Sequence, residues 1–250
     1  MSRRRSIPVS VTMALAVIAG VIAGNFPSGA AAQERVDLEL VLLADASRSI
    51  DDGEIRFQRQ GYAAAITHPD VLAAISYGYE RRIAVTYVEW GDASSQEVVV
   101  PWSIIDGPTS AAAFARALLA PPRRASGPNA IGSALTAAQA LIEGNDYVGT
   151  RRVIDLSGDS AYSGGGVPLS QARAAALAAG IVINGLAILC RDCASGRPID
   201  YDLESAFAAF ITGGPGSFVV TADGNQRFAE AVRRKLILEI ADGRLSPDQG

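Results

Sequence analysis

Val36-Asp37-Leu38-Glu39-Leu40-Val41-Leu42-Leu43-Ala44-Asp45-Ala46-Ser47-Arg48-Ser49 decides how the rest of the chain is read. It begins with alternation, Asp37 and Glu39 against Leu38 and Leu40, and then turns wholly apolar through Ala44. A strand that starts half-exposed and ends buried on both faces is a central strand of a mostly parallel sheet. It stops abruptly at a carboxylate and two hydroxyls on alternate residues. In open parallel sheets ligands bind outside the carboxyl ends of the strands, so Asp45, Ser47 and Ser49 are the first residues to inspect.

Working outward, helix and strand patterns alternate. Asp51-Asp52-Gly53-Glu54 predicts a capping box, with Ile55, Tyr62 and Ile66 striping the helix behind it. Ile83 to Trp90 reads as a strand. Val98 to Trp102 reads as a short one, joined to it through the turn residues Gly91-Asp92 as an antiparallel edge hairpin. Helices are expected over Ser110 to Leu119 and from about Asn129 to Glu143. A buried strand follows over Val153 to Ser157, and then a helix opened by Pro168 and closed by Gly180. Strand Ile181 to Leu189, helix Tyr201 to Ile211, strand Ser217 to Thr221 and a last helix through Phe228, Val232, Leu236 and Ile240 complete the order. Arg233, Arg234 and Lys235 towards the end of that helix suit its dipole. The fold class is α/β: three layers, an open and mostly parallel sheet with helices on both faces, Rossmann-like in the broad sense.

Before the first strand, Arg3-Arg4-Arg5, an apolar run from Val9 to Ile22 and Ala30-Ala31-Ala32 have the form of a cleavable secretory signal. The run is short for a membrane span and is interrupted by Gly20. The expected organisation is a signal peptide over 1–32, one domain over 33–241 and a loose tail over 242–250. Without the three leader arginines the formal charge falls from −4 to −7, a balance unsuited to nucleic acid or anionic lipid. Export to the periplasm or beyond gives the only two cysteines, Cys190 and Cys193, a structural reading as a local disulfide. A Ser195-Gly196-Arg197-Pro198 loop follows them, whereas a catalytic dithiol opens a helix. A zinc site would lack further soft ligands, because His68 is the only histidine.

Two other segments reach the same sheet edge. Ser157-Gly158-Asp159-Ser160 follows the fourth strand and brings a second carboxylate. Ser126-Gly127-Pro128-Asn129-Ala130-Ile131-Gly132 forms a loop at a helix start. Three loops with hard oxygen donors could surround one Mg²⁺ or Mn²⁺ ion. Taken as a bare motif, D-x-S-x-S is also what helix caps and turns use.

Asp45-x-Ser47-x-Ser49 after an apolar strand resembles the metal-ion-dependent adhesion site (MIDAS) of von Willebrand factor A domains, with the loop at Asn129 and Asp159 matching that family's second and third site loops. More narrowly, Arg152–Asp159, Gly180–Gly185 and Ala231–Ile240 resemble an uncharacterised family of exported proteobacterial proteins related to those domains. The match covers about Val36 to Ile240. It implies direct ligation by Ser47 and Ser49, ligation by Asp45 and Asp159 directly or through water, and completion of the octahedron by an acidic group of a protein partner. It implies no enzymatic activity. Asn129 departs from the family's usual threonine; it either offers an amide oxygen or caps its helix.

Competing functions are a metal-independent envelope interaction module on the same fold and a secreted esterase using Ser160. Gly158-Asp159-Ser160 matches the nucleophile motif of one esterase group, yet no histidine follows His68 to activate the serine. His68 reads as a helix-end residue beside Pro69. A dinucleotide site fails for want of glycine between Asp45 and Asp52. Asp155, mid-strand among apolar residues, requires a buried partner. Pro122-Arg123-Arg124 reads as solvated surface, and Gly164-Gly165-Gly166 as a flexible loop beside the site.

Overall fold

A computed structural model describes residues 33–189, 201–223 and 225–241. The leader, the tail and both cysteines lie outside the described residues. Six strands form one sheet: β1 (Glu34–Asp45), β2 (Ile83–Trp90), β3 (Gln96–Ile105), β4 (Tyr147–Gly158), β5 (Val182–Leu189) and β6 (Val219–Asp223), in spatial order β3-β2-β1-β4-β5-β6. All neighbours run parallel except β3, which pairs antiparallel with β2 at the edge. The helices are α1 (Asp52–Ile66), α2 (Pro69–Ser76), α3 (Pro108–Leu119), α4 (Ile131–Glu143), α5 (Leu169–Ala178), α6 (Leu203–Phe210) and α7 (Asn225–Ala241). None of the described helices is long and apolar enough to cross a membrane.

The apolar end of β1 feeds both faces of the sheet. Leu38, Leu40 and Leu42 point into a core shared with Tyr62 and Ile66 of α1, Phe114 of α3, and Phe228, Val232 and Leu236 of α7. Val41 and Leu43 point the other way, onto Ile131 and Leu135 of α4, Ala176 of α5 and Phe207 of α6. Each such side chain contributes roughly 1.5–3 kcal/mol by leaving water, which is why no polar residue interrupts Leu40 to Ala44. Gly61, in the middle of α1, has a packing reason: a Cβ there would lie 2.5 Å from the Phe228 ring. That ring tilts edge-on to Tyr62, with centroids 6.0 Å apart.

Asp51 caps α1, accepting from Glu54 N at 2.8 Å, while Glu54 Oε2 accepts from Asp51 N at 2.7 Å, as the capping box predicts. His68 corrects its expected role. It lies past Thr67, the C-cap of α1, and instead caps the start of α2, its Nδ1 accepting from Asp70 N at 3.2 Å with Pro69 in the first turn. The sequence does not predict α2: eight residues with only Asp70 and Ser76 polar opposite Val71 and Ile75 are too short a pattern to mark a helical period.

Lys235 is a second correction. It is fully buried, not presented to the helix dipole. Its Nζ stands 2.6 Å from Asp155 Oδ1 of β4 and also bonds Glu239 Oε1 one turn along α7. Glu239 Oε1 accepts further from Asn184 of β5 at 3.2 Å. The partner that Asp155 requires is thus the only lysine in the chain. Arg59 and Glu89 form another buried ion pair, at 2.6 Å, between α1 and the end of β2.

Candidate metal centre

Strand order reverses between β1 and β4: the chain leaves β1 for β2 on one side and returns to β4 on the other. The two carboxyl ends therefore lie side by side where connections diverge, the usual place for a ligand crevice. Register sets Leu43 beside Leu156, so Asp45 ends its strand level with Gly158 and Asp159 follows one residue on. Across the other neighbour, Asp45 faces Trp90, whose indole Nε1 donates to Leu43 O at 3.2 Å and fixes the ring against the strand end.

Four of the five sequence-predicted residues form one connected group. Asp45 is fully buried, and its Oδ1 accepts from Ser47 N at 2.8 Å. Ser47 Oγ and Ser49 Oγ are 3.2 Å apart, and Ser49 Oγ donates to Asp159 Oδ1 at 3.2 Å. Asp45 Oδ2 is buried without a hydrogen-bond partner. Gly158 leaves room beside it: a Cβ there would come within 3.2 Å of that oxygen and 3.5 Å of Trp90.

Asn129 sits on the adjoining loop, which is tied to the first loop through the backbone of Gly127. Gly127, at φ +109°, turns its carbonyl to accept from Arg48 N at 2.8 Å. Ala130 N donates to Gly91 O at 2.9 Å, which ties the same loop to the end of β2. Ala130, not Asn129, precedes α4, and no side chain caps that helix. Asn129 is therefore not a cap; its Oδ1 is buried with no hydrogen-bond partner.

The charges are poorly compensated. Burial, and then the charge of Asp159, push the Asp45 carboxyl up to about 7. Burial raises Asp159 as well, against the lowering effect of its bond from Ser49. Neither forms a salt bridge among the described residues. No three His, Cys, Asp or Glu side chains there gather as a metal-ligand cluster; the candidate donors are two carboxylates, two hydroxyls and an amide. That set suits a hard, oxygen-loving cation far better than a soft one.

One contact of the first loop is not legible in the sequence. Arg123, read as solvated surface, folds back under the first loop. Its Nη1 donates to Ile50 O at 2.7 Å, its Nη2 to Ser47 O at 2.9 Å and to Ala46 O, and its Nε to Ala125 O at 2.8 Å. Ala46, Ile50, Ile55 and Ala125 form a small apolar cluster beside it. Arg48 and Tyr162, by contrast, are exposed on the segments that carry the candidate ligands. Ser160 Oγ only accepts from Tyr162 N at 3.1 Å. His68 is engaged elsewhere, with Nδ1 on Asp70 N and Nε2 3.2 Å from Arg233 Nη1, so the Ser160 esterase reading lacks its base.

Residues 35–244 match the model of a family described as a protein of unknown function (DUF1194). No curated protein matches the chain significantly. Among solved structures it is similar to proximal thread matrix protein 1 from the mussel byssus with a zinc-occupied MIDAS motif. The identity is 16% and the TM-score 0.57, over 84% of this chain and 49% of that one. It is similar to the pilus adhesin SpaC from Lactobacillus rhamnosus GG at 16% identity and TM-score 0.55, over 84% and 30% of the two chains. Against the von Willebrand A domain of SpRpn10 the values are 13% and 0.52, over 82% and 98%. The chain thus spans about half of the mussel protein and under a third of the adhesin.

Proposed function

We propose, from the premise that the chain belongs to the DUF1194 family and folds as a von Willebrand A-like domain, that it is an exported, non-enzymatic module holding one divalent cation and binding a protein or other acidic ligand through it. Asp45, Ser47, Ser49, Asn129 and Asp159 hold the ion, which is Mg²⁺ or Mn²⁺. Residues 1–32 are the signal peptide, 33–241 the binding domain and 242–250 a tail. Cys190 and Cys193 pair in a disulfide, and the mature protein works in the periplasm or outside the cell.

The observation that carries this reading is the pair of unpartnered buried acceptors, Asp45 Oδ2 and Asn129 Oδ1. A buried polar atom with no partner costs about 1–3 kcal/mol, more when charged. A cation between the loops would meet that cost and the mutual repulsion of Asp45 and Asp159 together. When bound, it supplies a Lewis-acidic position for a carboxylate of the partner. The chain's own groups orient it: Ser47 N fixes one Asp45 oxygen, Gly158 keeps the other clear, and Arg48 offers an exposed positive charge beside the entry. A solved relative in fold with a zinc-occupied MIDAS motif supports the class of ligand.

A second reading has its own observation. Ser47, Ser49 and Asp159 already satisfy one another in a hydrogen-bonded chain, as a metal-independent interaction module would have it. Titrating Mg²⁺ and Mn²⁺ calorimetrically into chelator-stripped protein, with Asp45→Asn as control, separates the two. One-site binding lost in the variant is the expected result; absence of binding by the unaltered protein sinks the metal reading.

A further inference from the structure

We infer that Arg123 is the positioning residue of the candidate metal loop: its guanidinium holds residues 46–50 in the curve that gathers Asp45, Ser47 and Ser49. The inference rests on the metal reading above, but its geometry stands by itself. Ala46 and Ser47 are consecutive, and both carbonyls turn to the same nitrogen, Nη2. A strand would send successive carbonyls to opposite sides, so β1 alone cannot produce this bend. Ile50 O, at the far end of the loop, takes Nη1. Both limbs of the bend thus close on one rigid, planar fork.

The remaining ties on the loop are few. Ala46 N donates to Trp90 O at 2.8 Å, Arg48 N to Gly127 O at 2.8 Å and Ile50 N to Ser47 O at 3.0 Å. On the carbonyl side Ser47 O also accepts from Ile50 N, while the side-chain donors to Ala46 O, Ser47 O and Ile50 O all belong to Arg123. Lysine could not substitute. Its point charge lacks the fork that reaches three loop carbonyls and Ala125 O at once. Asp52, 3.6 Å away and largely exposed, is the only carboxylate in salt-bridge range among the described residues. The guanidinium is therefore committed to the loop's carbonyls more than to a counter-ion.

Arg123 also lines a cavity of about 380 Å³ between α1 and the end of α3, together with Arg56, Arg59, Leu119 and Pro121. Arg59 donates there to Pro121 O and Pro122 O and pairs with Glu89, so the cavity wall is set independently of Arg123. Truncating Arg123 would leave its place open to a small guanidinium ion from solution.

The experiment measures Mn²⁺ and Mg²⁺ affinity by calorimetry in the full chain carrying Arg123→Ala, with and without millimolar methylguanidinium, and with ethylammonium as control. Affinity is expected to fall about ten- to a hundred-fold, as for other groups that orient metal ligands, and methylguanidinium alone is expected to restore part of it. Arg123→Lys is expected to behave as Arg123→Ala and serves if the alanine variant does not fold. Metal binding by both variants at the affinity of the unaltered protein overturns the inference while leaving the metal reading intact. If the unaltered protein binds no metal, hydrogen exchange decides. Amides of Ser47, Arg48 and Ile50 exchanging faster in the variant, relative to those of β1, uphold Arg123 as the positioner, and unchanged exchange refutes it.

Discussion

Asp155 within β4 and Asp159 just past its end are four positions apart, and the fold treats them differently. Asp155, deep in the strand, meets Lys235 and shares it with Glu239. Asp159, just past the strand end, faces the charge of Asp45 and accepts from the Ser49 hydroxyl, and pairs with no cation among the described residues. Both places bring two carboxylates together, fully buried at Asp155, Glu239 and Asp45 and half-buried at Asp159, where leaving a buried one ionised and unpaired is costly. In the first, the chain supplies the positive charge itself and locks α7 to β4 with it. In the second it supplies oxygens only, at the edge where loops leave room. A buried internal ammonium makes a structural joint, whereas an uncompensated pair at a crevice makes a receptor for a charge from outside.

The comparison breaks most directly at Lys235. Lys235→Met removes the ammonium and leaves Asp155 and Glu239 facing each other, which should cost about 3–5 kcal/mol of stability in urea denaturation. Adding Asp155→Asn and Glu239→Gln should recover much of it. A loss below 1 kcal/mol would mean that the cluster is not the joint described. Next in size is the response to metal. At a hundred-fold excess over its Kd, Mg²⁺ should stabilise the unaltered protein by about 2.7 kcal/mol. It should not stabilise Asp45→Asn, and Lys235→Met should still respond.

Acidity probes both places at once in metal-free protein. Glu239 is pushed up to about 7 by burial and by Asp155, against Lys235; burial raises Asp155 too. Asp45 is likewise raised to about 7. An acid raised on folding keeps its proton in the folded state while the unfolded chain ionises. Stability is therefore fully present below the unfolded values near 4, and falls as pH rises from there to about 7. Each such group contributes a slope below about 1.4 kcal/mol per pH unit, the value for one whole proton. Glu239→Gln should remove one share, and saturating Mg²⁺ should remove that of Asp45. Stability rising with pH over that window would contradict the arrangement of both clusters.

What the sequence made legible follows from the same physics. Apart from the short α2, the order of strands and helices could be read, because β1 and the end of β4 are buried on both faces and cannot hide their apolar runs. Asp45, Ser47, Ser49 and Asp159 could be read because a strand end gives them a place without knowledge of anything distant. Lys235 could not: in a linear reading it belongs to a basic run with Arg233 and Arg234, and its partner Asp155 lies eighty residues away. Arg123 was hidden for the same reason, since nothing in Pro122-Arg123-Arg124 shows that three carbonyls of an earlier loop will close on it. Charged residues inside the fold are chosen by tertiary partners, and the partners are set by topology.

Asn129 is where the comparison can be sharpened most finely, because the two readings of the site give it opposite signs. Its Oδ1 is buried and unpartnered, and it does not cap α4. As a waiting metal ligand, it costs the metal-free protein something that only an ion returns. Asn129→Ala should then raise metal-free stability slightly, by up to about 1 kcal/mol, since removing an unsatisfied acceptor relieves its desolvation. The same variant should bind Mn²⁺ more weakly than the unaltered protein, though less severely impaired than Asp45→Asn, because an amide dipole gives less than a carboxylate charge. If Asn129 were packing alone, the substitution would open a void and lower stability, with Mn²⁺ affinity unmoved. Denaturation in chelator and calorimetry with Mn²⁺ on one protein preparation read both signs, and only opposite movements of the two keep Asn129 in the site.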